Sequence, residues 1–235
     1  MIRILHAYPD LLNLYGGDAD LRLLAAYLRD VGEEVTVEPL SADKIADADL
    51  IYFGAGTENK MLAAAKKLMP MRDALLAHHD AGKPLIFVGS SAALPMQTIQ
   101  GPDGTENPGL GLLQGQAKLH EKRIYTELLA YQPFSEHLFV GAFNSSLNIQ
   151  TDEPAFLHIC FDSEKKVGEW EGVYKNGLLA TQAAAPLLVR NPGILDYYAD
   201  MLAKKELSDP RAPWYRQAWM GYVCAADILK NAMHK

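Results

Sequence analysis

The sequence predicts an α/β fold with a mostly parallel central sheet and helices on both faces, and three observations carry that prediction. Leu50–Phe53 and Leu85–Val88 are short, unbroken apolar runs of the kind found in strands covered on both sides. Segments with helical spacing of leucine and alanine separate such runs. Each of the two runs then ends in tiny residues, Gly54-Ala55-Gly56 and Gly89-Ser90-Ser91, where a strand gives way to a tight turn.

In chain order, Ile2–Tyr8 reads as the first strand and Pro9–Gly17 as a loop. A helix from Asp18, a residue suited to capping, places Leu21, Leu24, Ala25 and Leu28 on one face and stops at Gly32. Val35–Val37 and Leu50–Phe53 are strands, the second running into the glycine loop Gly54–Thr57. A long helix is expected from Glu58 to Ala81, then the strand Leu85–Val88. The right-handed crossover rule turns this β-α-β-β-α-β succession into a doubly wound, flavodoxin-like order. Ligands then bind at the carboxyl ends of the strands, where the loops after Tyr8, Phe53 and Val88 converge. The second half is richer in strands: Leu138–Ala142, Ala155–Phe161, Lys166–Tyr174 and Leu178–Gln182. Helices are expected from Asn191-Pro192 to about Lys204 and from Trp214 to about Met233. With no repeat or low-complexity linker, residues 1–235 read as one domain.

Composition narrows the function. Apolar residues make up 49% of the 235, enough for a large core, and the net charge of −7 argues against a nucleic-acid surface. The two cysteines, Cys160 and Cys224, lack metal-ligand spacing and fit a reducing cytoplasm. No run is long enough for membrane insertion, and the opening residues do not read as a signal peptide. A cytoplasmic protein without metal or other cofactor is expected.

The strand-to-turn passage Gly82–Leu94 has the form of a nucleophile elbow. Four blocks carry a resemblance across most of the chain: Tyr8–Gly16, Phe53–Glu58, the segment Pro102–Thr105 with Pro108–Leu113, and Tyr174–Asn176 through Pro186–Pro192. Together they resemble the class I glutamine amidotransferases in their cobyric-acid-synthase-like branch, closest to the subunit type of lipid II isoglutaminyl synthase. The resemblance implies a cysteine that attacks the glutamine amide, a histidine that activates it, and backbone N–H groups that bind the oxyanion. It also implies a Mur-ligase-like or other amide-ligase partner, in a cell-wall or cobalamin pathway. By the resemblance the cysteine position falls on Gly89 and the histidine position on Ala184; of a polar Asn-His-Gly segment only Asn144 persists, followed by Ser145 and Ser146.

The expectation is therefore a pseudoenzyme, a binding or regulatory subunit whose glycine at the elbow relieves backbone strain. What survives is expected to be a cradle of Gly54, Ala55, Gly56, Ser90 and Ser91 that attracts a small anionic metabolite. The alternative reading is tight packing of small residues. Gly89–Ala93 also resembles the serine elbow of peptidase E, with Ser91 as nucleophile and His120, His137 or His158 as base. His78-His79 reads as a helix terminus favouring positive charge, and Asp18 and Asp20 as ligand candidates, with capping preferred for Asp18. Trp214, Tyr215, Trp219 and Tyr222 read as core contacts before an interface.

Overall fold

Alternate residues of the central strands face opposite sides, and that alternation sets the layers. In the computed structural model, which describes residues 1–163, 167–207 and 212–233, six strands form one sheet in the order β11-β12-β4-β3-β1-β2. These are β1 (Ile2–His6), β2 (Val35–Pro39), β3 (Leu50–Phe53), β4 (Leu85–Val88), β11 (Val173–Lys175) and β12 (Leu178–Thr181). All pairings are parallel except that of β11 with β12 at one edge.

Leu50, Tyr52, Ile86 and Val88 point into a cluster shared with α1 (Asp18–Asp30) and α4 (Pro192–Ala203). Ile51, Phe53, Leu85 and Phe87 point the other way, toward α2 (Glu58–Leu68) and α3 (Arg72–Asp80). Each such buried side chain contributes roughly 1.5–3 kcal/mol, which explains why the runs contain no charged residue. The doubly wound order expected from the sequence is the order observed.

A second sheet covers the first; three of its strands fall on expected segments, whereas those over 98–100, 106–108 and 116–131 were not assigned from the sequence. Its order is β10-β9-β7-β5-β6, with β8 also paired to β7. The strands are β5 (Thr98–Gln100), β6 (Glu106–Pro108), β7 (Gln116–Tyr131), β8 (Phe139–Gln150), β9 (Leu157–Asp162) and β10 (Trp170–Glu171). The register of β7 against β8 shifts between Leu119 and Ile124, so His120–Arg123 bulge outward. A bridge between Phe143 and Ala183 and the bond from Ala184 N–H to Ala142 O (2.8 Å) tie this sheet to the end of β12.

Several expectations are corrected. The helix expected over 58–81 breaks at Met69–Met71, because Pro70 lacks the N–H and its ring clashes with the preceding turn. Asp18 does not cap α1; Gly17 holds that position, and Asp18 instead pairs with Arg22 at 3.1 Å. The strand expected over 166–174 is interrupted at Gly168 and Gly172, both in the left-handed region, and residue 166 lies outside the described residues. His78 and His79 are buried rather than at a solvated helix end, and burial lowers both imidazoles; the His78 ring nitrogens face Ile45 O and Pro84 O.

Of the aromatic tail, Tyr215 and Tyr222 are buried, and Trp214 and Trp219 pack half-buried against the core. On α5 (Pro213–Met233), Tyr215 meets Tyr27 edge-on, Trp214 donates to Asp30 (2.9 Å), and Tyr222 donates to Leu138 O (2.8 Å). Among the described residues no helix is long and apolar enough to cross a membrane.

Candidate functional site

β4 enters its turn with the backbone of Gly89 at φ +66°, the left-handed conformation a nucleophile elbow requires. The turn continues as a short 3-10 helix, Gly89–Ala93. Ser91 is fully buried: its hydroxyl accepts from Val88 N–H (3.1 Å) and lies 2.7 Å from Phe53 O, to which it donates. Ser91 therefore locks β4 to β3 and does not line the cavity beyond the turn.

The glycine loop is engaged in the same way. Gly56 N–H donates to Ser90 Oγ (3.0 Å), and that hydroxyl donates back to Gly56 O (2.8 Å). Both backbone groups of Gly56 are thus paired with one hydroxyl. Gly54 permits the close approach of the loop before α1, since a Cβ there would meet Leu12 O at 2.3 Å. Of the expected cradle, Ala55, Gly56 and Ser90 line the cavity, whereas Gly54 and Ser91 do not.

Gly89 and Ala184, 95 positions apart in the chain, face that cavity together. The resemblance predicted two partners of one reaction at those positions, and the fold brings them to one place. The residues lining it include neither cysteine nor histidine. Cys160 lies within β9 and Cys224 within α5. His120 lies on the β7 bulge, His137 against Trp219 and His158 between Tyr131 and Trp170, so none joins Ser91.

Even the space for a nucleophile is taken. A Cβ on Gly89 would stand 2.7 Å from the Cβ of Ala55, well inside carbon–carbon contact distance. The cavity measures about 10 Å³, room for about one water molecule. Arg123, exposed at the end of the bulge, reaches back over the cavity, pairing with Glu58 and donating to Asn144 O (2.6 Å). Ser146 donates to Glu58 (2.8 Å), and Asn144 Nδ2 donates to the Tyr15 hydroxyl (2.8 Å). Burial pushes the Glu58 carboxyl upward, yet the backbone N–H at the start of α2, Ser146 and Arg123 outweigh it and hold the group below its ordinary range.

Two buried carboxylates hold the segment around Ala184. Asp20 accepts from Leu187 N–H and Leu188 N–H (2.7 Å each), Val189 N–H (3.1 Å) and the Tyr52 hydroxyl (2.8 Å). Burial pushes its pKa up to about 6 against the pull of those four donors. Glu171 accepts from Gln182 N–H and the Thr181 hydroxyl (2.7 Å each), and burial raises it to about 7. Asp20 is thus a structural anchor, not the ligand candidate expected from the sequence. Its signal was legible: it sits one residue before Leu21 and four before Leu24, on the apolar face of α1.

The CobB/CobQ-like glutamine amidotransferase domain model matches residues 3–180. The chain belongs to that family. The matched range contains Gly89 and ends four residues before Ala184. A relative from Staphylococcus aureus strain N315, the lipid II isoglutaminyl synthase (glutamine-hydrolyzing) subunit GatD, is 25% identical over 87% of this chain and 86% of its own length. Hydrogenobyrinate a,c-diamide synthase from Pseudomonas aeruginosa is 28% identical over 76% of this chain, which spans only 39% of that longer protein. A solved glutamine amidotransferase superposes with a TM-score of 0.55 at 15% identity, over 85% of this chain and 98% of that one, and shows the shared fold.

Proposed function

We propose that this family member is a cytoplasmic pseudoenzyme, a single unit that has lost glutaminase chemistry and serves an amide ligase as a binding or regulatory subunit. The observation that carries the reading is the cavity between Gly89 and Ala184, which has neither thiol nor imidazole and is filled to about one water by Ala55 and the Arg123–Glu58 closure. Glutaminase catalysis by the family's route needs an attacking thiolate, a base within hydrogen-bond reach and a free oxyanion donor. At this site the first two residue types are replaced and Gly56 N–H is bonded to Ser90.

The partner is inferred from the relatives. The staphylococcal protein is by name a subunit of a synthase, and the diamide synthases extend well beyond the region matched here. A chain with the same fold and an inert cavity acts through its surfaces, and its ligase uses ammonia from another source. The small size of the cavity favours this role over binding an anionic metabolite there. Treatment with 6-diazo-5-oxo-L-norleucine, an electrophilic glutamine analogue, followed by peptide mass mapping tests the reading. No adduct is expected on residues 53–58, 88–94 or 182–186, and a stoichiometric adduct there overturns it.

A further inference from the structure

On the far side of Ser145–Leu147 lies a larger opening, a groove of about 520 Å³ between the β7 bulge and the β9–β10 hairpin. Its volume falls in the range of small-molecule sites, roughly 300–1,000 Å³. Two features of its lining point to a ligand. Glu171 is only 5% exposed, and among the described residues no lysine, arginine or histidine pairs with it. Its two oxygens each accept one hydrogen bond, from Thr181 and Gln182, so about half of a carboxylate's acceptor sites stay open. A buried carboxylate without a counter-charge is unfavourable, and a cation entering the groove supplies one.

The second feature is the opposed charge of the lining. Glu169 adds a carboxylate beside Glu171, while from the other side His120 and Lys122 of the bulge supply donors and positive charge. The groove thus has an acidic side and a basic side.

We propose that this groove binds a small zwitterion of amino-acid to dipeptide size, with its ammonium group toward Glu171 and Glu169 and its anionic group toward Lys122 and His120. The site is separate from the closed cavity at Gly89 and stands whether or not that cavity is catalytically inert. The raised pKa of Glu171 agrees with it, since an arriving ammonium draws the carboxyl to its charged form.

Two-dimensional ¹H–¹⁵N NMR titrations test it, following the Glu171 and Gln182 amides. The probes are 5-aminovalerate and glycylglycine as zwitterions, with n-butylammonium and butyrate as singly charged controls. Both zwitterions are expected to shift the two signals saturably, at least one of them with a Kd at least fivefold below either control. Lys122→Ala weakens zwitterion binding to the level of butylammonium, and Glu171→Gln weakens it to the level of butyrate. Lys122 is exposed, so its variant reports even if Glu171→Gln folds poorly. The proposal is overturned if neither zwitterion produces a saturable shift, if the controls bind as tightly, or if Lys122→Ala binds as the parent does.

Discussion

Adding a single methyl group at Gly89 probes the elbow most sharply. Gly89→Ala places an L-residue at φ +66°, which costs about 1–2 kcal/mol. The new Cβ also meets the Ala55 Cβ at 2.7 Å, and overpacking of that kind costs about 1–3 kcal/mol. Together the variant is expected to lose about 2–5 kcal/mol, measured by urea unfolding at pH 7. Removing the Ala55 methyl separates the two contributions. Ala55→Gly in the Gly89→Ala background relieves the contact but not the backbone strain, so a double-mutant cycle should return a favourable coupling of about 1–3 kcal/mol. A Gly89→Ala variant within about 0.5 kcal/mol of the parent refutes the reasoning, as does a cycle that is strictly additive. The same contact opposes Gly89→Cys, so the elbow has closed over the place where a thiol would stand.

Three further outcomes rest on named contacts. Asp20→Ala strands the Leu187 and Leu188 amides and the Tyr52 hydroxyl inside the core, so unfolding free energy should fall by about 3 kcal/mol or more. Glu171 is raised from 4.5 to about 7 in the folded state, so the stability that its protonation brings is full below pH 4.5 and is lost as the pH climbs to 7. Denaturation series from pH 4.5 to 8 should show about 3 kcal/mol of that decline disappearing in Glu171→Gln. Arg123→Ala removes a half-exposed pair with Glu58 and should change stability by less than about 1 kcal/mol in urea, because solvent screens such pairs.

The central sheet was legible because its strands are buried on both faces, which forces continuous apolar runs such as Leu-Ile-Tyr-Phe and Leu-Ile-Phe-Val. β7, the longest strand, was not. Its bulge puts His120-Glu121-Lys122-Arg123 into solvent in succession, which erases the two-residue alternation that marks a strand. Pro70 carried a break that a long helical period masked. At the site, the pairing of positions 89 and 184 was readable from the resemblance, because both lie in segments bounded by recognisable blocks. The burial of Ser91 was not, since a serine beside a glycine reads equally as a nucleophile or a packing residue until its hydroxyl partners are known. Arg123 and Glu58, which close the cavity, are 65 residues apart and only the fold makes them neighbours.

The central claim, that the elbow has lost its chemistry, meets its most direct test in glutamine turnover by the purified chain, measured as glutamate and ammonia released over hours at pH 7.5. The structure predicts release no faster than in protein-free buffer. Turnover that tracks the protein through repeated purification and disappears with Ser91→Ala or with alkylation of Cys160 or Cys224 would contradict the account.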